Sequence, residues 1–166
     1  MSDTVEKKPI EEEVIVVDEG YKLIKVQNNL GELIGQFRFN PTDINIVNRY
    51  NEVADKFGGV VEPLENANIT KDGEGGDEDS VKLLNEAEDR MIEMLDYLLN
   101  TDSRSAFFSR THLFTPTDGK FYCENVIESV GTFISKKFDA ELKKVSSRVE
   151  KHTHGYRTGK HRKGDR

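Results

Sequence analysis

Cys123 and His112 are the two residues of this sequence that come closest to a nucleophile and its base. Cys123 stands at the start of a predicted helix, where the helix dipole can lower the pKa of a thiol. Neither residue has the neighbours that mark a known cysteine-dependent active site. The chain also has no nucleophile elbow, no zinc-protease histidine pair and no dinucleotide-binding glycine motif. We therefore predict no enzyme, no catalytic residue and no cofactor, and we expect Cys123 to be a buried or half-buried spare cysteine.

The histidines near the C-terminal end are the strongest candidates for a metal site. His152, His154 and His161 could offer imidazoles to zinc, copper or nickel. Their spacing fits no structural zinc pattern, and no cysteine or ordered carboxylate stands beside them. The acidic segment DGEGGDEDS offers oxygens, but it lacks the ligand spacing and the final glutamate of a calcium-binding loop. We predict no metal site in either segment.

Residues 151–166 form a basic tail on an acidic protein. They carry six Lys or Arg residues against Asp165, a balance of +5, so the −7 of the whole chain leaves −12 for residues 1–150. Such a body repels phosphate backbones, and nucleic-acid binding through the tail alone should be weak and salt-dependent. We predict an electrostatic arm that docks on acidic protein surface, with nucleic-acid contact as the alternative. The six basic residues are Lys151, Arg157, Lys160, Arg162, Lys163 and Arg166.

The overall composition indicates a lean core and a heavily charged surface. Of the 166 residues, 33% are charged and 35% are hydrophobic, which suits one domain with extensions. The single cysteine excludes an intrachain disulfide framework. The N-terminal residues lack the apolar run of a signal peptide, and no stretch approaches the roughly 18 apolar residues of a membrane span. We expect a cytosolic protein without membrane contact.

Three short antiparallel strands are predicted in the N-terminal quarter of the chain. The first is the β-branched run Val14–Val17, which stops at the turn signal Asp18-Glu19-Gly20. Alternating residues over 21–26 and 33–39 predict the second and third strands, which are joined through the turn residues 28–31.

Helical periodicity begins after Asn40-Pro41-Thr42-Asp43 and predicts a helix that ends at Gly58-Gly59. A second helix is predicted from about Ser80 to Leu98, and a long third helix from about Tyr122 to His152. Strands followed by helices indicate an α+β fold. We predict one domain over residues 13–150, with a flexible acidic linker at 65–79. A disordered acidic segment, 1–12, precedes the domain, and the disordered basic tail, 151–166, follows it.

Two apolar features of the sequence are candidates for partner binding. The aromatic segment 105–122 is rich in large rings, some of which must close the core, while any left on the surface would form an apolar patch that marks a binding site. The long helix outlasts what a small domain can cover, so its apolar face meets either a second subunit or its own sheet, and the pattern supports both equally. The predicted contact residues are Phe107, Phe108, Phe114, Phe138, Leu142 and Val145.

Three segments of the chain are similar to one known family. They read FRFNPTDINIVNRYNEV, AEDRMIEMLDYLLN and GKFYCENVIESVGTFI. Over about residues 33–150 the chain resembles small proteins encoded among the tail genes of long-tailed phages and prophages of Gram-positive bacteria. These proteins are generally taken to be tail assembly chaperones, or tail-associated proteins of unassigned role.

The resemblance implies a non-enzymatic, self-associating protein of the host cytoplasm that needs no metal or cofactor. Its client would be the tape-measure protein, a long apolar helix held in a groove flanked by charge, with the major tail protein as a second partner. The resemblance does not explain the strands before residue 33 or the basic tail. Two alternatives remain open: a structural component retained in the virion, and a small regulatory or anti-defence protein that uses its tail on nucleic acid.

Overall fold

The computed structural model describes the backbone of residues 8–65 and 78–164, and the side chains of those residues up to Arg148. Within these ranges the chain has an α+β fold, with a small antiparallel two-stranded sheet followed by helices, the last of which is long. The fold class is therefore as predicted. The predicted linker lies almost wholly outside the described residues, as do residues 1–7 of the predicted N-terminal segment.

Two of the three predicted strands form the sheet. Strand β1, Lys22–Gln27, pairs antiparallel with β2, Leu33–Phe39, with Lys22 opposite Phe39. The turn between them is held by Asn28, whose side-chain oxygen accepts the backbone N–H groups of Leu30 and Glu32, both at 2.9 Å.

The predicted first strand, Val14–Val17, is wrong. These residues have no secondary structure, and no strand pairs with them in the described part of the chain. β-Branched residues favour a strand only when a neighbouring strand and a packed face accompany them, and within one chain this segment has neither.

Helix α1, Ile44–Glu65, begins where the sequence predicts. The Asp43 side chain accepts the backbone N–H of Asn45 at 2.9 Å, which is the bond expected at a helix start. The predicted end at Gly58-Gly59 is wrong, because the helix continues for another turn and a half. Burial of Val60, Val61 and Leu64 offsets the helix cost of the two glycines.

Helix α2, Glu78–Leu99, packs on α1 and covers the range predicted for the second helix. Its first turn carries Glu78 and Asp79, where the helix dipole favours negative charge. Asn100 follows with a φ of 50°, in the left-handed conformation common after a helix end. The next element, α3, Ser103–Phe107, is a short helix absent from the sequence prediction, and Asp102 caps it.

A tight hairpin leads into the longest element. Strands β3, Pro116–Thr117, and β4, Lys120–Phe121, are joined by Asp118 and Gly119, both with positive φ. Helix α4, Tyr122–Gly164, then runs for 43 residues, roughly 65 Å at the rise of an α-helix. Its backbone thus extends past His152, where the sequence predicts the change from helix to disordered tail.

The core lies where β2, the helices α1 to α3 and the first third of α4 meet. Phe37 and Phe39 project from the same face of β2, and the Phe37 ring centroid lies 5.3 Å from that of Phe107 on α3. Gly35 permits this approach, since a Cβ there would stand 2.5 Å from the carbonyl oxygens of Ser105 and Ala106.

Candidate partner-binding surface

The aromatic segment contributes mainly to the core. Phe107 and Phe114 are each only 6% exposed, and the Phe114 ring packs on that of Phe121 at 5.5 Å. Phe108 is half-buried and meets Tyr122 edge to face at 5.6 Å. Of the three predicted aromatic contacts, Phe108 therefore has the most surface to offer a partner, and its role in binding stays a prediction.

An apolar groove lies between β1 and α4, which sequence reasoning missed. One cavity, of about 190 Å³, has Ile24 and Val26 on the strand side and Val130 and Phe133 on the helix side. A neighbouring cavity of about 390 Å³ is also lined by Val26, and the two share Phe107 and Ser129. The two cavities adjoin at these shared residues, and we call them together the β1–α4 groove.

The charged side chains identified at the edge of the β1–α4 groove are basic. Among the described residues that line the two cavities, Lys25 is the single charged side chain. The Lys137 ammonium lies 5.6 Å from the ring centroid of Phe133, a cation–π distance. An apolar floor with basic neighbours suits an apolar segment flanked by acids.

After Ile134, α4 extends beyond the packed body over the residues whose side chains are described. Ile134 is the last buried residue among the described side chains of this helix, and we call residues 135–148 the α4 overhang. Phe138 is half-buried, while Leu142 and Val145 are 48% and 47% exposed. Their spacings of four and three residues place all three on one side of the helix. The overhang also carries five basic and two acidic residues.

The structure does not bear on the six basic residues of the tail, Lys151, Arg157, Lys160, Arg162, Lys163 and Arg166, because their side chains lie outside the described residues. The same holds for His152, His154 and His161. Among the described residues, no group of three or more His, Cys, Asp or Glu side chains is arranged to hold a metal ion. None of the helices, over the residues described, is long and apolar enough to cross a membrane.

The surroundings of Cys123 disfavour a role as a nucleophile. Its side chain is fully buried, and burial raises the pKa of the thiol to about 12, with a further contribution from the Glu124 carboxylate. Very little thiolate therefore exists near neutral pH. His112 is exposed, and its ring contacts other groups: Nε2 lies 3.2 Å from Glu88 Oε2, and Nδ1 accepts the backbone N–H of Phe114.

Glu88 joins α2 to α3 and to the loop that follows. Its carboxylate accepts a 2.7 Å hydrogen bond from Arg104 and meets His112 on its other oxygen. Partial burial by itself would raise the pKa of Glu88, but the bonds from Arg104 and His112 together outweigh it and lower the pKa. Since every partner of this carboxylate is a neighbouring structural element, we interpret the cluster as a tie within the fold.

Comparison of the chain with protein-family models, with curated proteins and with solved structures gave no significant match. The fold and the two uncovered apolar surfaces, the β1–α4 groove and the α4 overhang, are therefore the structural basis for a functional proposal.

Proposed function

We propose that the protein is a non-enzymatic tail assembly chaperone of a long-tailed phage or prophage, acting in the host cytoplasm. It binds the tape-measure protein and keeps it soluble until tail subunits polymerise around it, with the major tail protein as a second partner. The observation that carries the proposal is the apolar stripe of the α4 overhang, which the rest of the described chain leaves uncovered.

The α4 overhang suits an amphipathic client helix. Phe138, Leu142 and Val145 offer an apolar line about two turns long, to which a second helix can pack side by side. The overhang as a whole carries five basic residues against two acidic ones, so a client helix with acidic flanks would be favoured over a basic one. Binding of this kind needs neither a metal nor a cofactor.

The basic tail supplies a second, weaker attraction in this proposal. Residues 151–166 continue the positive charge of the overhang, and they would draw acidic protein surface toward the stripe from a distance set by salt screening. Removing them should slow capture of the client more than it loosens the bound complex, because rim charges act mainly on the association rate.

The test is co-expression with the neighbouring tape-measure protein, followed by a pull-down at low and at high salt. Leu142→Asp combined with Val145→Asp places two charges on the stripe and should leave the client insoluble. Ala140→Asp combined with Ser147→Asp adds the same charge to the opposite side of the same exposed helix, and it should keep the client soluble. Client that precipitates with the unaltered protein, or stays soluble with the stripe variant, would contradict the proposal.

The alternative of a structural virion component makes the opposite prediction for purified particles. A chaperone leaves the assembling tail, so mass spectrometry of virions should find the tape-measure and tail-tube proteins without this chain. Its presence at a fixed copy number would favour the structural component instead.

A further inference from the structure

Val14–Val17 form an unusual apolar arm. The four residues are 82%, 89%, 91% and 71% exposed, and the backbone here belongs to no helix or strand. Four consecutive β-branched residues in water favour an extended conformation and pairing with another strand. Isolated exposed apolar residues are common on proteins, but a contiguous run indicates a contact surface.

The base of this arm is held in a defined turn. Gly20 has a φ of 91°, and its backbone N–H donates to the Asp18 side chain at 2.8 Å. The buried Asn40 side chain donates to the Glu19 carbonyl at 2.5 Å, which ties the turn to the end of β2. The arm therefore leaves the body in a direction set by these bonds, and within one copy none of residues 14–17 lines the β1–α4 groove.

Strand β1 has an unpaired edge. In the described part of the chain the sheet contains β1 and β2 alone, so β1 has a partner strand there on one side only. The other strand, β2, is approached by α3 and receives a hydrogen bond from the Ser109 hydroxyl to the Ile34 carbonyl at 3.0 Å. The open edge of β1 runs beside the β1–α4 groove, where a further strand could add its backbone bonds and bury alternate side chains.

Charge points to the same match between arm and edge. Three glutamates, Glu11 to Glu13, precede the apolar run, and Asp18 and Glu19 follow it. Strand β1 carries Lys22 and Lys25, and Lys137 lies over Phe133 in the groove. The arm is thus an apolar segment between acids, and it is complementary to the β1–α4 groove, which is apolar and has basic neighbours. One chain supplies both.

We propose that Val14–Val17 of one copy adds as a strand to β1 of a second copy, with alternate side chains entering the β1–α4 groove of that copy. Each copy offers one arm and one groove, so the exchange closes in a two-fold pair or a small ring. This strand exchange is independent of the chaperone proposal, since it uses neither the α4 overhang nor the tail.

The first test is sedimentation of the full chain and of a proline variant. Ile15→Pro combined with Val16→Pro removes one N–H donor from each edge of the arm, because adjacent residues of a strand point their N–H groups in opposite directions. The unaltered chain should sediment as a multiple of 18.9 kDa. The dissociation constant of the assembly should be at least about tenfold higher for the variant.

A matched control separates pairing from unfolding. Glu11→Pro combined with Glu12→Pro places the same residues in the same exposed segment, just before the apolar run. It keeps every N–H donor of the run and loses only two of the five flanking acids, so it should weaken the assembly much less than the Ile15–Val16 prolines do. The helical signal in circular dichroism should be unchanged in both variants, since neither pair of residues is packed in one copy. An unaltered chain that is monomeric, or an assembly that survives the Ile15–Val16 prolines, would overturn the proposal.

The second test distinguishes exchange between copies from folding back within one copy. An isotope-labelled chain with Val16→Cys is mixed with an unlabelled chain with Lys25→Cys and treated with a short bifunctional maleimide. The buried native Cys123 should not react. A cross-linked product of one labelled and one unlabelled chain is expected. When the Lys25→Cys chain is replaced by a chain with Lys56→Cys on α1, little of this product should form.

The within-copy alternative is tested by placing both cysteines, at positions 16 and 25, in one chain. Cross-linking confined to that single chain, together with no mixed product, would show that the arm folds onto its own sheet and would overturn exchange. Cross-linked product of two chains through position 25, but not through position 56, supports exchange between copies.

Discussion

Helix α4 contains two stretches with the same apolar pattern and opposite surroundings. In its first third Ile127, Val130 and Ile134 are buried under the sheet and the other helices, whereas Leu142 and Val145 of the α4 overhang are nearly half exposed. The spacing of the apolar residues is helical in both. Periodicity therefore defines which side of the helix is apolar, and the rest of the fold decides how much of that side is covered.

The N-terminal part of the chain shows the same contrast in strands. Phe37 and Phe39 of β2 are among the buried residues, while Val14–Val17, with a stronger β-branched pattern, pair with no strand among the described residues of one copy. The packed body uses its apolar residues for folding. The apolar residues of the arm and the α4 overhang are exposed, and the two proposals assign them to contacts with other molecules.

The largest expected difference between the two regions is in unfolding free energy. Leu95 is fully buried on α2, so Leu95→Ala should cost about 3 kcal/mol through lost burial and a residual cavity. Leu142→Ala, on the overhang, should change the stability of a single copy by about 0.5 kcal/mol or less. Urea unfolding of both variants at a concentration that keeps the chain monomeric measures this, and equal losses would show that the overhang is covered.

A second difference concerns Gly35, where β2 and α3 are in close contact. A Cβ at this position would stand 2.5 Å from two backbone carbonyl oxygens, and backbone cannot yield as a flexible side chain can. Gly35→Ala should therefore push α3 from the sheet and cost about 2 kcal/mol. The midpoint of urea unfolding reports it, and an unchanged midpoint would mean that α3 is not packed on β2.

At Gly58, in contrast to Gly35, substitution by alanine should raise the stability of the protein. It lies inside α1, and a Cβ there would meet nothing within 4 Å. Gly58→Ala should stabilise the protein by about 0.5–1 kcal/mol, because alanine loses less backbone freedom in a helix than glycine does. A rise in melting temperature measures this, and a fall would indicate that α1 ends at Gly58-Gly59 as the sequence alone predicts.

The smallest expected effect is the pH dependence that Glu88 contributes. Its pKa is lowered in the folded protein by Arg104 and His112 against the opposing effect of burial, so the unfolded chain binds more protons in the acid range. The contribution of Glu88 to stability is therefore complete above the pKa of the unfolded carboxyl group, and it is lost as pH falls through the folded value.

Glu88→Gln should flatten this acid dependence and cost about 0.5 kcal/mol at neutral pH, since Arg104 is half exposed. Urea unfolding between neutral pH and pH 3 compares the variant with the unaltered protein. A parallel pair of curves would show that Glu88 titrates alike in the folded and unfolded chain.

Local sequence patterns predicted most of the helices and strands. Alternation predicted β1 and β2, and helical spacing predicted α2 and the start of α1. They failed at Gly58-Gly59, where burial of the following turn outweighed a local stop signal, and at the five-residue α3, which is too short to show a period. They also missed the β1–α4 groove, because Ile24 and Phe133 stand far apart in the chain and only the fold brings them together.

What the sequence by itself determined is the type of most elements and the side on which each is apolar, since both depend on neighbours a few residues away. It also placed Leu142 and Val145 on an apolar side that could lack cover within one chain. Only the tertiary structure decided which apolar sides are covered. Phe107 and Phe114 became core because β2 and β4 pack against them, while Val14–Val17 stayed exposed because the turn at Gly20 directs them away from the body. Burial depends on contacts between distant segments, and no local pattern contains them.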